Sequence, residues 1–248
     1  MHLNESIRKF IFTKNTRPSL LQAAQAYDIW SGSYDQQPGN LMLALDEEIF
    51  SGLISGVDLE NKVLADIGCG TGRHWQKLFD RAPASITGYD VSKGMLERLK
   101  LKYPAANTRL INDRLPGDIA AASVDCILST LTIAHIRNLQ EAAKSWEKIL
   151  KPGGDLLITD FHPALLVSGG KRSFRHNEKT LAVVNYIHPL DDVKRIFIKM
   201  GFMLADQNER FIDKNVRAYY EKQDALDVYE RFKGMPVIYG LHLKKANQ

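Results

Sequence analysis

The chain has 248 residues, 44% of them hydrophobic and 25% charged, with 33 basic against 29 acidic side chains and a formal net charge of +4. This composition excludes a disordered or low-complexity chain and suits one α/β domain with additions. The basic residues are scattered rather than gathered into a stripe, which argues against a nucleic-acid partner; no apolar run approaches the ~18 residues of a membrane span; and the two cysteines, Cys69 and Cys126, have neither metal-ligand spacing nor a disulfide framework. A cytoplasmic protein without membrane contact is expected, as monomer or homodimer. The basic pair Lys171-Arg172 with Arg175, and the tail pair Lys244-Lys245, read as solvated surface.

Residues 1–18 are polar and mixed. Ser19 to Trp30 reads as a short helix with Ser19 as N-cap. A Tyr-Asp pair then repeats seven residues apart, as Tyr27-Asp28 and Tyr34-Asp35. A helix is predicted from about Asn40 to Ile54, with Leu41, Leu45, Ile49 and Leu53 on one face. From Lys62 strands and helices alternate. Strands are predicted at 62–67, 85–90, 108–112, 124–129, 154–160, 202–212 and 236–244, and helices at 73–81, 92–102, 138–150 and 189–200. The alternation implies right-handed βαβ units and a doubly wound, mostly parallel sheet of seven strands. The last two strands are joined by about two dozen polar residues without a clear crossover, which suits an antiparallel hairpin at the sheet edge. Residues 161–188 form an insertion. Residues 1–56 are expected to form an N-terminal helical lid, and 57–248 the α/β domain.

The most informative stretch is Val63-Leu64-Ala65-Asp66-Ile67-Gly68-Cys69-Gly70-Thr71-Gly72, an apolar strand ending in an acid and a three-glycine turn. Glycines at alternate positions leave no Cβ in the way of a ligand. Asp66 would repel a pyrophosphate and attract a cation, which argues against a dinucleotide. Asp90 ends the second strand and suits the two hydroxyls of a ribose. Ser92-Lys93-Gly94-Met95-Leu96 follows it, and Ile111-Asn112-Asp113-Arg114-Leu115-Pro116 follows the third strand. Ser129-Thr130-Leu131-Thr132-Ile133-Ala134-His135 follows the fourth, and Leu150-Lys151-Pro152-Gly153-Gly154 precedes the fifth.

These segments together resemble the class I S-adenosylmethionine-dependent methyltransferases of the type 11 group, small-molecule branch. The resemblance covers residues 26–160 well. It implies a Rossmann-like sheet whose last strand is antiparallel, and S-adenosyl-L-methionine as cofactor with S-adenosyl-L-homocysteine as product. It implies a cofactor bed of Asp66, Gly68, Cys69, Gly70, Thr71 and Gly72. Asp90 and Val91 are placed at the ribose, Met95 near the adenine, and Asn112, Asp113 and Arg114 at the adenine amine. Ser129, Thr130 and Leu131 line the methionine side, and Tyr27, Trp30 and Tyr34 form an aromatic lid. The Asn/Asp-Pro-Pro-aromatic motif of base and glutamine N-methylation is absent after the fourth strand.

A small-molecule methyl acceptor is therefore expected, methylated on oxygen, nitrogen or carbon by in-line displacement. A phenol or carbon acid as acceptor also needs a base, and histidine is the usual one. His162 is the first candidate and His135 the second. Trp30, His162, Arg175 and His188 are candidate substrate contacts, and no metal is called for. Three other readings compete. An RNA or protein methyltransferase wants a basic face or a recognition domain. A non-catalytic binding protein predicts damaged cofactor motifs. A nicotinamide oxidoreductase expects a different glycine spacing and no Asp66.

Overall fold

The computed structural model describes residues 19–37, 39–112, 115 and 117–247. The expected strands come together as one sheet. β2 (Val63–Ile67), β3 (Ser85–Asp90), β4 (Asn107–Leu110), β5 (Val124–Thr130), β6 (Leu150–Phe161), β9 (Phe202–Phe211) and β10 (Pro236–Lys245) lie in the order β4-β3-β2-β5-β6-β10-β9. β10 is antiparallel to both of its neighbours, and the pairs from β4 to β6 are parallel. The last two strands thus pair as expected, but β10 is inserted into the sheet and β9 forms the edge.

Alternate residues of the interior strands serve two apolar layers, as a pleated strand covered on both faces requires. Leu64, Cys126, Leu128 and Leu157 pack with helix α2 (Leu41–Ser55) on one face. Ala65, Ile67, Ile127, Leu156 and Ile158 pack with α5 (Leu139–Ile149) and α7 (Leu190–Ile198) on the other. Helix α2 starts at Asn40, whose side-chain oxygen accepts the N–H groups of Met42 and Leu43. Its Ile49 lies so close to Gly240 of β10 that a Cβ at 240 would collide with it. α2 is therefore part of the layer covering the sheet.

Three expectations need correction. Ser19 does not cap a helix; it opens strand β1 (Ser19–Leu21), and helix α1 (Ala23–Trp30) begins four residues later. β1 runs parallel to β8 (Lys179–Val183), which pairs with β7 (Ser173–His176), so a second, three-stranded sheet joins the N-terminal segment to the insertion. Long-range pairing here overrides the local helix signal. The connection from β9 to β10 is not a plain polar link, because α8 (Arg217–Glu221) and α9 (Leu226–Phe232) lie in it. They bury Tyr220, Val228, Tyr229 and Phe232. Finally, β6 begins at Leu150 directly after α5, earlier than expected, because Leu150 already pairs with Val124.

Candidate active site

The carboxyl ends of β2, β3 and β5 open onto a cavity of about 590 Å³, within the ~300–1,000 Å³ usual for small-molecule sites. Its wall includes Tyr27, Tyr34, Asp66, Gly68, Cys69, Gly70, Thr71, Asp90, Val91, Met95, Asn112, Thr130, Leu131 and His135, all expected from the sequence. Gly68 has φ +75°, and a Cβ there would collide with the Thr132 side chain. Gly70 has nothing within 4 Å of a built Cβ, so its open side faces room for a ligand. Gly72 is not in the wall. Its φ is +70°, and it gives Trp75 and Leu99 space to pack behind the loop.

Two buried acids flank the loop. Asp66 accepts the Trp75 indole N–H at 2.7 Å. Burial pushes its carboxyl up to about 6, against that hydrogen bond. Asp90 accepts the backbone N–H groups of Gly70 and Ser92, each at 2.8 Å. Burial raises it likewise to about 6. A carboxylate so held gains from a ligand that brings a positive charge or hydroxyl donors. This chemistry fits S-adenosylmethionine, which carries an ammonium, a sulfonium and a ribose with two hydroxyls.

The Tyr-Asp repeat divides its work. The aspartates fasten the N-terminal segment to the glycine-loop side of the sheet. Asp28 accepts from Ser92 Oγ at 2.6 Å and from the Gly94 N–H at 2.9 Å, at the start of helix α4 (Lys93–Lys102). Asp35 accepts from Thr71 Oγ1 at 2.7 Å and pairs with Lys102 at 3.1 Å. The tyrosines face the cavity. Trp30 does not: it is buried between Tyr27 and Phe174, stacked on both rings.

The histidines are not placed as expected. His162 lies outside the cavity wall. Its Nδ1 caps α6 (Pro163–Val167) by accepting the Ala164 N–H at 3.2 Å, and its Nε2 lies 3.6 Å from Glu209. His135 is in the wall but is not a free base. Its Nδ1 faces the Val184 carbonyl at 3.1 Å and must donate to it, so Nε2 is the acceptor for the Tyr27 hydroxyl at 2.8 Å. Burial, reinforced by the nearby Arg172 charge, lowers its pKa to about 3.

Other expected contacts also fall elsewhere. His188 is bonded through Nε2 to the Ile136 carbonyl and is not in the wall. Arg175 is exposed on β7, away from the cavity. Ser129 is fully buried behind it. Asp113 and Arg114 lie outside the described residues.

The sequence reading missed five wall residues or their supports. Arg73 and His74 line the cavity and are both held by Asp46 of α2, with His74 Nε2 at 2.9 Å. Asp46 also accepts from Thr159. Burial alone would raise the Asp46 carboxyl, but the His74 hydrogen bond and the Arg73 charge hold it well below the usual range. An acid one residue after Leu45, on the apolar side of α2, was the available signal. Trp75, which opens the short helix α3 (Trp75–Phe79), orients Asp66. Arg172, read above as solvated surface, is 3% exposed and borders the cavity.

A seven-stranded sheet with one reversed inner strand, and an acid followed by a glycine loop at the carboxyl end of β2, define the fold of the S-adenosylmethionine-dependent methyltransferases. Residues 65–158 match the methyltransferase domain family. It is 27% identical to a biotin biosynthesis bifunctional protein BioHC of Cellvibrio japonicus, over 89% of this chain and 42% of that one. It is 32% identical to a malonyl-[acyl-carrier protein] O-methyltransferase of Priestia megaterium, over 56% of this chain and 48% of the relative. The chain thus spans less than half the length of these two relatives. Among solved structures, an S-adenosylmethionine-dependent methyltransferase from Listeria monocytogenes superposes with a TM-score of 0.64. That match has 17% identity and covers 82% of this chain and 99% of the other.

Proposed function

We propose that the protein transfers a methyl group from S-adenosylmethionine to an oxygen, nitrogen or carbon atom of a small molecule. The observation carrying this reading is that one cavity gathers the glycine loop, the two ligand-seeking acids Asp66 and Asp90, and the tyrosines of the clamped N-terminal segment. When bound, the cofactor supplies an electrophilic methyl on a positively charged sulfur. The chain supplies position. Asp66 and Asp90 would hold the cofactor's ammonium and ribose, and Asp28 and Asp35 fasten the segment that brings Tyr27 and Tyr34 into the cavity wall. Aromatic faces favour a nearby cation, and correct placement of two reactants is worth up to ~7–11 kcal/mol of barrier. The size of the cavity supports a small acceptor.

The test is transfer of a labelled methyl group from S-adenosylmethionine to a small-molecule extract, with Asp90→Ala as control. Label in a small organic product, reduced at least tenfold by the substitution, is expected. Label found only in protein or RNA would overturn the reading.

A further inference from the structure

Arg172 is a buried cation without a matching anion. Its Nη2 donates to the Tyr34 hydroxyl at 2.6 Å and its Nη1 to the Leu131 carbonyl at 3.3 Å, and neither acceptor carries a charge. Leu131 has φ +53°, a region a leucine rarely adopts, so the backbone is held in an unusual turn at this contact. Nε has no hydrogen-bond partner, and a guanidinium has five N–H groups to place. The rings of Tyr27, Trp30, Tyr34 and Phe161 stand 5.4 to 5.8 Å from the guanidinium carbon. Among the described residues no carboxylate lies within salt-bridge distance. The carboxylate it feels most is Asp160. Both oxygens of Asp160 are already taken, by the N–H groups of Ala134 at 2.6 Å and Phe161 at 2.7 Å. Buried charges are ordinarily paired, and a bound sulfonium would add a second positive charge to the same cavity.

We propose that the acceptor is a small carboxylic acid whose carboxylate completes this site, held by the remaining Nη hydrogens of Arg172 and by the hydroxyl hydrogen of Tyr34. The proposal rests on the methyl-transfer reading above and names its substrate class. A guanidinium fork suits a carboxylate, and the rings of Tyr27 and Tyr34, both in the cavity wall, offer apolar surface to the rest of the acid.

The same choice needs no general base. An oxygen of the carboxylate forms the new C–O bond with its own electron pair as the C–S bond breaks and that pair passes to sulfur. The product is a methyl ester and no proton moves. The cavity histidines are consistent with this. His135 Nε2 is occupied by Tyr27. His74 Nδ1 is wholly buried and looks toward Glu47 at 3.4 Å. The cofactor's own carboxylate is the rival occupant. Titrating protein already saturated with S-adenosylhomocysteine separates the two occupants.

The experiment is calorimetric titration of the protein saturated with S-adenosylhomocysteine, using hexanoate and phenylacetate against hexanamide and phenylacetamide. The acids are expected to bind at least tenfold tighter than the amides. Arg172→Gln should erase that preference while changing S-adenosylhomocysteine affinity less than threefold. Arg172→Lys, which keeps the charge, should retain part of the preference and decides the matter if the glutamine variant does not fold. Equal binding of acids and amides to the wild type would overturn the proposal. So would a loss of S-adenosylhomocysteine affinity in Arg172→Gln as large as the loss for the acids, which would assign Arg172 to the donor. A wild type unable to bind S-adenosylhomocysteine at all would strike the methyl-transfer reading itself, and this one with it.

Discussion

Replacing Asp66 by asparagine should make the protein more stable and worse at its task. The carboxyl is 6% exposed, and burial lifts its pKa from an ordinary 3.8 to about 6. A rise of about two pH units, at 1.36 kcal/mol each, means that the ionised form costs the fold roughly 3 kcal/mol above pH 6. The sign follows from linkage. The folded state holds this proton more tightly than the unfolded chain, so wild-type stability improves as pH falls from 7 toward 4. The asparagine side chain has no such dependence and still offers an oxygen to the Trp75 N–H. The buried Asp90 carboxyl is raised into the same range and is present in both proteins, and its charge adds to the rise at Asp66. Urea unfolding of both proteins from pH 4.5 to 7.5 measures the difference. Asp66→Asn should be more stable by about 1–3 kcal/mol at pH 7.5, with the gap closing on acidification. Calorimetry should show S-adenosylhomocysteine affinity reduced tenfold or more. A variant less stable than wild type at pH 7.5, or a gap that does not change with pH, would refute the reasoning.

Three further substitutions test separate parts of the account. Gly68→Ala combines a positive φ with a collision at Thr132, so it should reduce S-adenosylhomocysteine affinity by a hundredfold or more; near-normal binding would show that the loop is not the cofactor bed. His162→Ala should leave the rate of methyl transfer within twofold and cost about 1 kcal/mol in thermal unfolding from the lost helix cap. A large drop in rate would return His162 to the list of bases. Asp28→Ala removes both bonds to the start of α4. With the carboxylate at the surface the stability loss should be only about 1 kcal/mol, but protease cleavage within residues 22–37 should accelerate several-fold and the KM for S-adenosylmethionine should rise. Unchanged cleavage and KM would mean that the segment is held by its apolar contacts alone.

The sheet was legible because its interior strands are short apolar runs, each with one layer of residues for each face and punctuated by glycine and proline. The glycine loop and its two acids were legible because backbone geometry and charge dictate residue type there. The N-terminal strand was not, since three residues pair with a segment about 160 positions away and carry no period of their own. Arg172 looks like any basic residue in a turn-rich insertion; only the closure of β7 and β8 over Trp30 buries it. His162 precedes Pro163, and proline at the first helical position marks the preceding residue as a cap. That local signal competed with its place at the end of β6, and the cap is what the fold uses. The aspartates of the Tyr-Asp repeat drew no role from the sequence because their partners, Ser92, Gly94, Thr71 and Lys102, are far along the chain.

The central claim is that the cavity at the ends of β2, β3 and β5 binds S-adenosylmethionine. Calorimetric titration of the purified protein with S-adenosylhomocysteine and with NADH tests it most directly. The account predicts one site of micromolar affinity for S-adenosylhomocysteine, weakened at least tenfold by Asp90→Ala, and no heat from NADH. Binding of NADH instead, or S-adenosylhomocysteine affinity indifferent to Asp90, would contradict it.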